Sequence, residues 1–296
     1  MDSNTIPPEF NRMIKSATDW RQIVAWVSDL APLPQVASKA ITLIENPDTS
    51  SNELSCLLER DTALAARVLK IANSAMFARQ REITTLNQAV MMIGYKTLKG
   101  VIVAATLQRF AKRGNETERM VWENSTGTAV VAHKLAMQIN KEYADECFLL
   151  GLLHDMGKLV LLREIPLDYK KIVECTRGGA SYFEAEQEIL GFSHPLIGAL
   201  VAKKWNFSDD ICQAILHHHD DLCQLAHTPL NAKTAIIQTA DLMTHYLGKG
   251  HLPGYQCNEN KMHETLAFIG ISDAGKIEAT ITACKEAIEK HCSILE

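Results

Sequence analysis

Within the apolar run Leu149–Leu162, three side chains capable of chemistry fall in five positions: His154, Asp155 and Lys158. Burying such groups is costly unless they are paired or bound to a metal. Neutral imidazole and carboxylate together are ligands for Zn, Mn or Fe. On one helix, however, neighbouring side chains point about 100° apart, so His154 and Asp155 share an ion only if other segments bring ligands to that edge. Taken alone, the dipeptide reads more plainly as a buried His and Asp bonded to backbone or to each other. Three further polar islands in apolar context, His194, His218-His219 and Asp241, turn the reading toward a metal pocket. At most two of His217, His218 and His219 face inward, and Asp220-Asp221 suits His217 to a solvated helix end. His227, His245, His251, His263 and His291 read as solvent-facing and are assigned no role.

The elements that must position these residues all read as helices. Val36, Ala37, Ala40, Ile41 and Ile44 have helical spacing after Pro32 and Pro34, and Ser50-Ser51-Asn52-Glu53 has the form of a capping box. Leu64–Ala72 follows Asp61, and a further helix runs from Thr84 or Thr85 to Gly94. Leu98, Val101, Ala105, Leu107 and Phe110 continue the pattern. After the polar break Lys112–Glu116 come Val121–Gln138, the central His154-Asp155 helix, Tyr169–Cys175 and Tyr182–Leu190. A helix entered through His194-Pro195 runs to Trp205, with Pro tolerated in the first turn. Asp209–Leu216 leads into the histidine run, and Thr234–Leu247 carries Asp241. Gly248, Gly250, Pro253 and Gly254 mark a loop, and a last amphipathic helix starts near Ser272. No segment reads as a strand, so the fold class is all-α.

The 296 residues, 47% hydrophobic and 22% charged, suit a folded globular chain rather than a disordered one. A net charge of −5 gives no electrostatic case for binding a nucleic-acid polymer. Eight cysteines without a C-x-x-C pair, and an N-terminus without signal-peptide character, lead to the expectation of reduced thiols in a cytoplasmic protein. No apolar run approaches the roughly 20 residues of a membrane span, and no membrane partner is expected.

The motifs together carry a resemblance. His154-Asp155-x-Gly157-Lys158, Gly191-Phe192-x-His194-x-x-x-Gly198-Ala199 and His218-His219 resemble the HD superfamily of metal-dependent phosphohydrolases. Leu33-Pro34, Glu59-Arg60-Asp61-x-Ala63-Leu64-Ala65, Ala72-Asn73-Ser74-Ala75 and Ile83-x-x-Leu86-x-x-Ala89-x-x-x-Ile93-Gly94 narrow it to the HDOD family, the HD-related output domains of bacterial signalling. Residues 1–10, with Asn4, Pro7 and Pro8 and little periodic apolar content, are expected to form a loose tail, and the polar break Lys112–Glu116 divides an N-terminal helical lobe over 11–115 from an HD-like lobe over 116–246. Residues 247–296 then form a loop and C-terminal helices packing on the HD-like lobe. The resemblance places one divalent ion, Fe, Mn or Zn, on Asp155, His194, His218 and His219, with His154 and Asp241 converging on the same pocket.

Another ligand position departs from the family pattern. Alignment on Trp122 puts Asn124 where the family carries His, and His133, nine residues on, does not replace it. Asn is a poor ligand for a transition metal. The glycine-tyrosine-proline motif of the cyclic-dinucleotide phosphodiesterases is also absent after Lys158. The expected function is therefore a signalling output module with a degenerate metal site, acting through contacts with other signalling proteins. The rival is a phosphohydrolase for a nucleotide or cyclic dinucleotide, with Asp155 and Lys158 catalytic. A third reading is a pocket that binds a nucleotide without hydrolysing it.

Overall fold

The computed structural model describes residues 34–73, 83–112, 115–222, 228–251 and 257–295. The expected tail over 1–10, the helix expected from about Asn11, and Ser74-Ala75 lie outside the described residues. All regular structure is helical, with no strand among the described residues. In order, α1 is Gln35–Glu45, α2 Ser51–Leu58, α3 Thr62–Ala72, α4 Leu86–Lys112 and α5 Glu116–Ile139. A 3₁₀ turn at Lys141–Tyr143 leads to α6 Ala144–Leu153, α7 Met156–Glu164, α8 Pro166–Arg177, α9 Tyr182–Leu190 and α10 His194–Lys204. Then come α11 Asp209–Leu216, α12 Pro229–Tyr246, α13 Glu259–Phe268 and α14 Ala274–Leu295.

Helix starts follow local chemistry. Orphan amides in the first turn attract short polar side chains, so Asp61 accepts from Leu64 N at 3.0 Å and opens α3. Asn115 with Glu118, and Ser181 with Glu184, form reciprocal capping boxes at α5 and α9. The box expected at Ser50 forms by half: its hydroxyl accepts from Glu53 N at 3.1 Å. Gly94, at φ 73 and ψ 163, breaks α4 into the two helices anticipated on either side of it.

The core is organised on α5, which is buried on most of its circumference between Val121 and Ala136, as expected for a helix clad on all sides. α6, α12 and α14 pack on it, while α1, α2 and α3 pack on α4. No single helix among the described residues is long and apolar enough to cross a membrane.

One expectation about the central segment is corrected. Leu149–Leu162 is not a single helix: α6 ends at Leu153, His154 caps it, and Asp155 at φ −97 and ψ 9 opens α7. The chain turns at the two residues whose charges would be misplaced along a continuous apolar helix. His154 and Asp155 thereby escape the fixed helical angle between neighbours and face one interior.

Candidate metal centre

His154 lies at the end of α6, Asp155 at the start of α7 and His194 in the first turn of α10. These meet because Gly157 has no side chain: a Cβ there would stand 2.1 Å from the His194 carbonyl oxygen. His218 and His219 lie beyond the end of α11, and Asp241 comes from α12. All six residues singled out as candidates reach one interior region. His154, Asp155, His194 and His218 are almost fully buried, and Asp241 is 7% exposed. His217 instead turns outward to Asp220 at 2.7 Å and Gln213 at 3.0 Å.

One ligand atom each from Asp155, His194, His218 and His219 lies within 4.8 Å of the others. His194 Nε2 is 3.2 Å from Asp155 Oδ1 and His219 Nε2 3.1 Å from His194 Nε2, while His218 Nε2 is 3.8 Å from Asp155 Oδ1. Ligands about 2.1 Å from one ion stand about 3.0 Å apart at a right angle and about 4.2 Å apart in line, so this quartet has the dimensions of a coordination shell. The fit is also chemical. Asp155 Oδ1 and His218 Nε2 are buried and make no hydrogen bond, a costly arrangement that a bound cation relieves.

The surroundings prepare the imidazoles as ligands. His218 Nδ1 donates to Ile215 O at 2.6 Å and His154 Nδ1 to Gly151 O at 2.8 Å, leaving each Nε2 lone pair aimed inward. Burial, with His154 and His194 nearby, pushes His218 down to about 3, and burial likewise depresses His219. Both rings are therefore neutral at physiological pH. Burial opposes charge on His154 too, but the carboxylates of Asp155 and Asp241 outweigh it and raise its pKa. Asp155, despite burial, is held well below the usual carboxylate range by His154 and Lys158. Lys158 Nζ donates to Asp155 Oδ2 at 2.7 Å and stands 5.0 Å from the centre of the Tyr182 ring.

Sequence reasoning missed four contributors. Glu186, fully buried on α9, accepts from His194 N at 2.7 Å and from His194 Nδ1 at 2.6 Å. Its other oxygen accepts from Tyr169 at 2.9 Å, the pair forming a carboxylate support of the kind that orients ligand histidines. Burial and the Glu186 charge raise Tyr169, keeping its hydroxyl protonated as a donor. Only spacing to His194 distinguishes Glu186 from Glu184 and Glu188 in the sequence, whereas Tyr169 and Tyr182 carry no signal. The fourth is His245, read above as solvent-facing. It is instead largely buried, with 12% of its side chain exposed, and its Nε2 lies 3.5 Å from Asp241 Oδ1 and 3.2 Å from Asn124 Nδ2. Its position four residues after Asp241 places both on one face of α12.

Comparison with known proteins agrees with this architecture. An uncharacterised protein of Treponema pallidum is 24% identical over 294 residues, covering 94% of this chain and 54% of that protein. The chain thus spans about half the length of that relative. A crystal structure from Shewanella amazonensis, provisionally named a metal-dependent phosphohydrolase, has a TM-score of 0.68 at 21% identity, covering 93% of this chain and 97% of that one. Another from Marinobacter aquaeolei, provisionally named a signal transduction protein, has a TM-score of 0.65 at 19% identity, covering 100% of this chain and 69% of that one. At such identities these two establish a shared helical fold. The HDOD domain itself is matched over residues 30–221, most of the chain, and the protein belongs to the HDOD family.

Proposed function

We propose that this chain is an output module of bacterial signal transduction whose enclosed pocket holds a divalent transition metal, Fe, Mn or Zn, at Asp155, His194, His218 and His219. It acts by presenting its helical surface to other signalling proteins rather than by turning over a substrate. The observation that carries this reading is enclosure. His154, Asp155, His194 and His218 are at most 1% exposed. A nucleotide needs a cleft of several hundred Å³, about 300 or more, opening onto the reactive groups. Among the described residues, a cavity of ≈ 540 Å³ between Gln138 and Thr280 and one of ≈ 420 Å³ between Lys39 and Arg60 lie away from these groups.

The donor set favours the rival, a phosphohydrolase acting on a nucleotide or cyclic dinucleotide. A bound ion there would supply Lewis-acid activation of water and phosphorus. In this chain Asp155 would hold the ion and Lys158 would offer charge to a phosphate oxygen. Elemental analysis of the purified protein, with hydrolysis assays on cyclic dinucleotides and nucleotides, separates the two. We expect bound Fe, Mn or Zn and turnover far below about 1 per second, the low end of ordinary enzyme rates. Faster phosphodiester hydrolysis that is lost in Asp155→Ala establishes the rival instead.

A further inference from the structure

Beyond the metal quartet, the chain that follows His219 encloses a cavity with α12 and α13. It measures ≈ 340 Å³, at the small end of the about 300–1,000 Å³ usual for ligand sites, and none of the four metal ligands lines it. The cavity runs inward from Glu264, which is exposed, to Gln238 and Thr265, which are each 3% exposed.

Gln238 has half of its amide satisfied. Its Nε2 donates to Asp220 O at 3.0 Å, while Oε1 is buried and makes no hydrogen bond. A buried acceptor in that state is costly. Thr265 Oγ1 donates its proton to Met262 O at 2.9 Å and so faces any further partner as an acceptor. Both inner polar groups therefore call for a donor. Charge points the same way, because the lining carries two carboxylates, Asp221 and Glu264, against one ammonium, Lys261. That ammonium is shared with α9: the Glu184 carboxyl, lowered first by its hydrogen bonds with Ser181, is lowered also by Lys261. Leu222 and Phe268 complete the wall with apolar surface. Acceptors and negative charge along an apolar wall suit a cation with several donors on an apolar stem. A guanidinium fits better than an ammonium, since its donors lie in a planar fork and it is more weakly hydrated.

We propose that this cavity is a socket for an arginine side chain of a partner protein, its guanidinium donating to Gln238 Oε1 and lying between the carboxylates of Asp221 and Glu264. The arginine belongs to a polypeptide rather than to the free amino acid, because the two carboxylates repel an α-carboxylate and a peptide bond presents none. The proposal rests on the reading of the chain as a module that works through protein contacts, and supplies the surface and the chemistry of one such contact.

The test is a nuclear magnetic resonance titration of methyl-labelled protein, followed at Leu222 and Thr265. The probe is N-acetylarginine N-methylamide, compared with free arginine and with the apolar N-acetylnorleucine N-methylamide. The blocked arginine should shift both methyls saturably and bind about 2–5-fold tighter than free arginine, the scale of one exposed charge contact. Glu264→Gln should weaken it by a similar factor, and Gln238→Met by about 10-fold or more, as for a lost hydrogen bond to a charged group. If Gln238→Met does not fold, Glu264→Gln decides, its change lying at the exposed end of the cavity. Tighter binding of free arginine overturns the assignment to a partner protein. Equal binding of the norleucine compound, unchanged affinity in the variants, or no shift at all overturns the socket. Metal content and turnover are measured on the same protein. Turnover above about 1 per second overturns the signalling reading whatever the titration gives, whereas an empty socket in a metal-bearing, inactive protein overturns this proposal alone.

Discussion

Glu186 shows how a residue outside the coordination shell governs the shell. It fixes His194 through both the backbone amide and the ring, and Tyr169 fixes it in turn. Removing such a support typically costs about 10–100-fold in metal affinity. Glu186→Gln should therefore weaken metal binding by that factor, as measured by competition with a chelator, while the helical circular dichroism spectrum stays that of wild type. The imidazoles also set the response to acid of the metal-free protein. His218 titrates at about 3 when folded, against about 6.5 when unfolded. Between those values the unfolded chain binds the extra proton, so stability falls as pH falls, by about 1.4 kcal/mol per pH unit for this group alone. His219 and His245 are shifted the same way. The raised pKa of His154 acts at higher pH, where its stabilisation is lost on the way up, and the depressed Asp155 and Asp241 act below about 4. Chelator-treated protein should thus unfold at lower urea at pH 5 than at pH 7; an unchanged or higher midpoint at pH 5 contradicts this assignment.

At the scale of elements, the site depends on how closely α7 approaches α10. A Cβ at Gly157 would fall 2.1 Å from His194 O and 2.9 Å from Gly198 N, both backbone atoms that cannot rotate away. Overpacking of this kind costs about 1–3 kcal/mol. Gly157→Ala should lower the unfolding free energy by that amount and reduce bound metal, because Asp155 and His194 are pushed apart. Gly275→Ala is the control. It lies in α14, where a Cβ meets nothing nearer than 3.4 Å, so the change should be neutral or stabilise the helix by up to about 1 kcal/mol. The break between α6 and α7 belongs to this scale as well. Periodicity over Leu149–Leu162 gave no warning of it, because both helices are apolar on nearly every face and only their directions differ.

For the whole molecule, Lys99 joins the N-terminal helices to the segment after α10. Its ammonium donates at 2.5 Å to Glu45 on α1 and at 2.5 Å to the Asn206 carbonyl, and lies 4.7 Å over the Phe207 ring. Asn206, at φ 60, adopts the left-handed conformation that Asn tolerates, and also donates to Glu45. Lys99→Met keeps the apolar stem but takes the ammonium away from Glu45 Oε1 and the Asn206 carbonyl, which should cost about 1–3 kcal/mol of stability. Metal content should be unchanged, since the eleven residues of α10 put this clamp about 16 Å from His194. A fall in both quantities would show that the clamp and the pocket act as one unit.

Helical class, most helix positions and the six converging polar residues were legible in the sequence, because amphipathic periodicity and charges isolated within apolar runs are local properties. Ile197 to Trp205 and Thr234 to Leu247 could be read as helices without a partner in view, and His154, Asp155 and Asp241 stood out there by contrast with their neighbours. The family resemblance, carried by motifs spread from Leu33 to His219, anticipated the architecture for the same reason. Glu186, Tyr169 and His245 were invisible because nothing in their neighbourhoods distinguishes them from surface glutamates, core tyrosines or solvent-facing histidines. What brings them to the pocket is the packing of α8 on α9 and of α12 on α5, the hydrogen bonds that Glu186 accepts from the start of α10, and the loop at Gly250. Whether a histidine meets water or Asp241 is settled by helices distant in sequence, and only the tertiary structure holds that information.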